Sequence, residues 1–201
     1  MKPILPSQVL AGRDRWAAET QGALAAGSKA VVRISARMPA ALRGRWLADG
    51  LVERGAAAYQ AECGRQGLSL RPLGDGRGAL GPWRLWASGD DPLLLKRLAL
   101  LIEEGSRQGQ VLDLDVYSQD GPVSRSLLGM PPRRCVVCGG PAAVCAGRSI
   151  HPTSAVEAAF LDLLKGSSIS FPIAFPRPSA KQFQFFPQDL RTDTPLAPIR
   201  P

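Results

Sequence analysis

Histidine is nearly absent from the chain: His151 is the only one. It stands beside Pro152, ahead of a helix-like segment, which argues against a serine–histidine hydrolase. No run of 18 apolar residues exists, so a membrane-spanning helix is not expected. The opening MKPILPSQVLAGRDRW meets charge before a signal-peptide core can form, and a cytoplasmic protein is the expectation. A Walker-type GxxxxGK[ST] loop is missing. The glycine cluster GDGRG is no substitute, because it joins two strand-like segments instead of opening a helix. Internal repeats are absent. Between Gly121 and Val156 there is no aspartate or glutamate, although Arg125, Arg133, Arg134 and Arg148 all fall there.

The 201 residues, 45% of them apolar, are enough for one full core, so a single domain with appendages is expected over two independent units. A formal charge of +8 predicts attraction to phosphates, whether of nucleic acid, lipid or a nucleotide-like substrate. In a reducing compartment the four cysteines are read as ligands or buried thiols before disulfides.

Along the chain, 11–27 reads as an N-terminal helix and 29–39 as a strand rich in β-branched residues. From Ala40 to about Cys63, Ala48, Val52, Gly55, Tyr59 and Cys63 share one helical face, with Cys63 a buried small hydrophobe. A strand is expected over 68–73, a turn over 74–81 and a strand over 82–88. Asp91 and Pro92 supply an N-cap and first-turn pair for a helix ending near Gly105, with Lys96 and Arg97 snorkelling at its rim. A last strand covers 110–118. The expected fold is therefore α+β, with a ferredoxin-like β-α-β-β-α-β core, both core helices on one face of the sheet. An N-terminal helix, a Cys/His-containing loop and a C-terminal helix opened by a Ser154/Glu157 capping box complete it. Residues 1–165 form the expected domain, with the Cys/His loop at 131–151. The stretch 166–201 holds seven of the 18 prolines and five of the six phenylalanines and reads as an extended or disordered tail.

Two constellations carry chemistry. Asp113 and Asp115 in LDLDVY lie two apart, so on a strand both carboxylates share a face. Such a pair suits Mg²⁺, which takes one or two carboxylates together with phosphate oxygens; the alternative is a solvated polar face. Beside the acid-free arginine loop, the pair reads as a polyphosphate clamp. Cys135, Cys138, Cys145 and His151 have Cys-x2-Cys-x6-Cys-x5-His spacing, compatible with a structural Zn²⁺; reduced thiols or a redox dithiol at Cys135 and Cys138 are the alternatives. Trp83 and Trp86 fall on opposite faces of one strand and cannot make a stacking platform, which weighs against nucleic acid.

The segments DPLLLKRLALLIEEG, LDLDV and SRSLLGMPPRRCVVCGGPAAVC with a following histidine, together with GRD at Gly12 to Asp14, resemble the holo-citrate lyase synthases, the apo-citrate lyase phosphoribosyl-dephospho-CoA transferases. The resemblance covers about residues 10 to 165. It departs from the family pattern at Gln110, Leu127 and Gly147. It implies a nucleotidyltransferase-type enzyme that moves phosphoribosyl-dephospho-CoA from triphosphoribosyl-dephospho-CoA onto a serine of the citrate lyase acyl carrier subunit, releasing pyrophosphate. The nucleophile then belongs to the partner. Asp113 and Asp115 would hold the metal and share the catalytic role with Arg125, while Arg133, Arg134, Arg13 and Lys96 would bind substrate. Transfer to another carrier, such as that of malonate decarboxylase, and a zinc-stapled nucleic-acid-binding module are the alternatives.

Overall fold

A computed structural model describes residues 5–43 and 46–165. The expectation for 166–201 lies outside the described residues. The elements are α1 (Pro6–Ala25), β1 (Ala30–Ala36), α2 (Ala40–Arg43), α3 (Trp46–Arg65), β2 (Arg71–Gly78), β3 (Gly81–Ser88), α4 (Pro92–Glu104), β4 (Leu112–Ser118), β5 (Gly121–Pro122), α5 (Ala142–Gly147) and α6 (Thr153–Leu164). Among them the strands form one antiparallel sheet in the order β2-β3-β1-β4-β5. The fold is α+β.

Alternation along the central strands separates the two faces. Val32, Ile34, Ala36, Trp86, Leu112, Leu114 and Val116 point to one side and pack with α3, α4 and Phe160 of α6. Tyr59 of α3 is buried there and donates its hydroxyl proton to the Leu95 carbonyl of α4 at 3.0 Å, tying the two helices. At Gly55 a Cβ would lie 2.4 Å from Leu112 Cδ1, so glycine lets α3 sit this close to the sheet. Cys63 belongs to the same core, and burial pushes its thiol up to about 12. The other face is covered by α1 through Trp16, Thr20, Ala23 and Leu24, with Trp83 beneath. The two tryptophans of β3 thus serve different cores.

Several expectations need correction. The first helix begins at Pro6 instead of residue 11, because Pro6 occupies its first turn and the Gln8 Oε1 accepts the Leu5 N–H at 2.9 Å. The glycine segment 74–78 belongs to β2, with the turn narrowed to the residues before Gly81. Bare positions there admit the Trp83 indole: a Cβ on Gly76 would come within 3.2 Å of it. The last helix starts at Thr153 with Pro152 as N-cap, so Ser154 lies within the first turn and makes no cap. By contrast, Asp91 caps α4 as read, its Oδ1 accepting from Leu93 N at 2.9 Å.

Lys96 does not snorkel. It is 6% exposed and donates to the Leu114 carbonyl at 2.7 Å. The reason lies in the sheet. Beyond β4 the neighbouring β5 reaches only Tyr117 and Ser118, which leaves the outer backbone groups of Leu112 and Leu114 without a strand partner. Side chains take that place: Arg133 donates to the Leu112 carbonyl (3.1 Å), Glu103 accepts from the Leu114 N–H (2.7 Å) and Lys96 serves the Leu114 carbonyl. A strand edge that would otherwise template aggregation is closed by ionic groups.

Candidate active site

One face of β1 carries Arg33 and Ser35, with Arg37 just beyond its end, and the same face of β4 carries Asp113, Asp115 and Tyr117. Antiparallel register sets Ser35 opposite Asp113 and Arg33 opposite Asp115. Helix α1 covers only part of this polar face. Between it, the face and the Cys/His loop lies a hollow of about 1110 Å³ whose lining includes Arg13, Arg33, Arg37, Asp113, Cys135 and His151.

Arg33 is paired with Asp115. Its guanidinium lies 4.2 Å from the Trp16 ring centroid and 5.7 Å from that of Tyr117, so two aromatic faces hold it over the carboxylate. Asp113 is 3.3 Å from Arg133 Nη2. Burial raises the Asp113 carboxyl above its usual range and the Asp115 charge adds to this, against the pull of Arg133, Arg33 and Lys96. Tyr117 is raised by burial and then by Asp115.

Arg133 reaches this site from the loop and is gripped by Glu103 of α4 at 2.6 Å. Glu103 is itself pushed up by burial, against Arg133 and Lys96. Arg125 is placed differently from its sequence neighbours. Its guanidinium is taken up by Glu103 (3.4 Å), Glu104 and the Pro131 carbonyl (3.1 Å), behind the β4 edge. A second cavity of about 290 Å³ lies there, bordered by Arg125, Arg133, Arg134, Glu103 and Glu104. Arg37 lines both cavities. Arg13 is exposed at the larger hollow. Lys96, buried against β4, lines neither cavity, and Arg148 stands exposed after α5.

The structure gathers the Cys/His residues. Cys135 N–H donates to the Gly140 carbonyl at 2.6 Å and Gly139 N–H to the Cys135 carbonyl at 2.9 Å, closing a tight turn that Gly139 permits with φ +74°. Helix α5 returns Cys145 to within 3.6 Å of Cys138, sulfur to sulfur, and His151 arrives just before α6. One ligand atom from each of the four lies within 4.8 Å of all the others, so the cluster could hold a metal ion. Its donor set fits: the buried His151 Nε2 has no hydrogen-bond partner, and the thiols differ sharply in character. Burial opposes ionisation of Cys135, yet N–H groups of Cys138 and Val137 and the neighbouring thiols bring it down to about 6. Burial and the Cys138 and Cys135 thiols push Cys145 up to about 11. Because Ala142 N–H donates to the Arg133 carbonyl at 2.8 Å, the cluster is fastened to the arginine that meets Asp113.

Arg33, Arg37, Glu103 and Trp16 were not singled out from the sequence as site residues. The signal for the two arginines was present: in VRISAR the polar residues fall on every second position, as Asp113 and Asp115 do on β4.

The profile of the family described as apo-citrate lyase phosphoribosyl-dephospho-CoA transferase matches residues 6–166. A protein of that name from Escherichia coli O7:K1 is 26% identical over 145 residues, 72% of this chain and 79% of its own length; the homologue from Escherichia coli O1:K1 / APEC shows the same figures. Protein CitXG of Leuconostoc mesenteroides subsp. cremoris is 40% identical over 60 residues, 29% of this chain and 13% of its own length. With its profile matched over most of its length, the chain is a transferase belonging to the apo-citrate lyase phosphoribosyl-dephospho-CoA transferase family.

Proposed function

We propose that residues 1–165 form a domain that transfers phosphoribosyl-dephospho-CoA from triphosphoribosyl-dephospho-CoA to a serine hydroxyl of the citrate lyase acyl carrier subunit. The serine oxygen bonds to the ribose-linked phosphorus as the bond to pyrophosphate breaks. The family match over 6–166 carries this reading, and the hollow beside Asp113 supports it.

The residues divide the work by charge. Arg133 and Arg134 receive the phosphates and then the departing pyrophosphate, where preorganised donors lower the barrier most. Arg13 meets the substrate at the mouth of the hollow. Arg125, engaged by Glu103 and Glu104, holds the loop in place and so acts as a positioning residue. Lys96 acts through β4, keeping Asp113 and Asp115 in register. Asp113 and Asp115 fit a Mg²⁺ ion in their donor type, and a bound cation would offset the burial and the Asp115 charge that together raise the Asp113 carboxyl. When bound, that ion supplies neutralisation of phosphate charge. At the Cys/His cluster the fitting ion is Zn²⁺, with all four positions filled by protein and hence a structural role. The strand order β2-β3-β1-β4, with α3 and α4 on one face, supports reading the core as ferredoxin-like. The cytoplasm is the compartment in which such a reaction fits; no helix among the described residues is long and apolar enough to cross a membrane.

The test is direct. The protein is mixed with apo acyl carrier subunit, triphosphoribosyl-dephospho-CoA and Mg²⁺, and the carrier is weighed intact. A mass increase of one phosphoribosyl-dephospho-CoA is expected. An unchanged carrier from citrate lyase, with modification of a malonate decarboxylase carrier, would reassign the acceptor; no modification of either would refute the transfer.

A further inference from the structure

We infer that Arg37 is an anion-binding residue of the active site, pairing with a phosphate group where the large hollow meets the smaller arginine-lined cavity.

Arg37 follows the last residue of β1 on the same side as Arg33 and Ser35, and it lines both cavities. It is half-buried, with its guanidinium 5.9 Å from the Phe160 ring centroid. The neighbouring arginines are all engaged: Arg33 by Asp115, Arg125 by Glu103 and Glu104, Arg133 by Glu103 and Asp113. Arg37 alone of these four makes no ion pair with a described residue. It also faces the Arg133 charge, and burial followed by that repulsion lowers its pKa, only partly offset by Asp113, Cys135 and Glu103. A desolvated guanidinium crowded by a second cation is costly unless an anion joins them. Two arginines flanking one space have the planar donor geometry suited to phosphate oxygens. A ligand spanning from Asp113 toward Arg134 would pass Arg37, which makes it the contact between the two ends of a polyphosphate.

This inference rests on the polyphosphate reading of the hollow, and one experiment separates the two. Metal-free inorganic tripolyphosphate is titrated calorimetrically into the full chain, into R37Q and R37K, and into R84Q, whose arginine pairs with Glu53 outside both cavities. Wild type and R84Q should bind alike, R37Q about tenfold or more weaker, and R37K in between. Equal binding by wild type and R37Q overturns the role of Arg37 and leaves the hollow's reading standing. No binding by wild type overturns both. Should R37Q fail to give the wild-type melting profile, phenylglyoxal labelling of the wild type with peptide mapping decides. Protection of Arg37 by tripolyphosphate is expected, and equal labelling with and without it refutes the assignment.

Discussion

Two faces of one sheet divide this molecule. On one, Val32, Ile34, Leu112 and Leu114 are buried among α3 and α4. On the other, the intervening residues of the same two strands are Arg33, Ser35, Asp113 and Asp115, of which all but Asp115 border a hollow instead of a packed core. The backbone is shared, so the contrast comes from the two-residue period of the strand and from the helices laid on each side. Helices α3 and α4 seal their face, whereas α1 covers only part of its face, through Trp16, Ala23 and Leu24. Charge is thereby placed at a solvent-reachable wall that rests on a dry, rigid layer. A site of this kind depends on a scaffold that does not itself yield.

The sharpest break in the comparison should come from Asp113→Asn. Transfer is expected to fall by about a hundredfold or more, since an electrostatic group is lost where charge develops. Stability should not fall with it. The Asp113 carboxyl is raised on folding, so its favourable contribution is present below its ordinary value of 3.8 and lost as pH rises through the raised value. At pH 7 the variant should therefore be at least as stable as wild type in urea, and the difference should shrink as pH is lowered toward 3.8. A variant clearly less stable at pH 7 would contradict the direction of that shift.

Adjacent residues on β1 sharpen the contrast. Ile34, fully buried on the dry face, should cost about 2–5 kcal/mol when cut to alanine. Its neighbour Ser35, on the charged face, should cost less than about 1 kcal/mol. Comparable urea midpoints for Ile34→Ala and Ser35→Ala would erase the distinction. A modest effect is expected at the Cys/His cluster, whose four residues lie beside the charged face and outside both apolar clusters. Elemental analysis should find about one zinc per chain, and Cys138→Ser should lower zinc content while shifting the melting temperature by only about a few degrees, because the loop adds only Val136 to the apolar core. Wild-type zinc content near zero in a sample that melts normally would remove the structural metal.

Much of the fold was legible. Strong periodicity marked α3 and α4, and Asp91–Pro92 located the start of α4 to the residue. The glycine segment of β2 was misread as turn because its reason for being strand, room for Trp83, lies across the sheet. At the candidate site, Asp113 and Asp115 were visible as an alternating pair and the Cys/His spacing as a cluster. Arg33 and Arg37 alternate in the same way, yet an arginine in or just beyond a strand signals a site only when a carboxylate or cavity faces it. Lys96 could not be placed from its own helix, because the group it serves is the unpaired backbone of β4.

Local order and composition were enough to set the α+β class, the acid-free arginine loop, the shared face of the two aspartates and the metal-compatible spacing, because each depends on residues close in the chain. Which arginine meets which carboxylate, that Glu103 and Lys96 close the edge of β4, and that Arg37 stands between two cavities were decided by tertiary structure. These follow from strand register and helix placement, which join residues far apart in the chain, such as Arg33 and Asp115 at 82 positions.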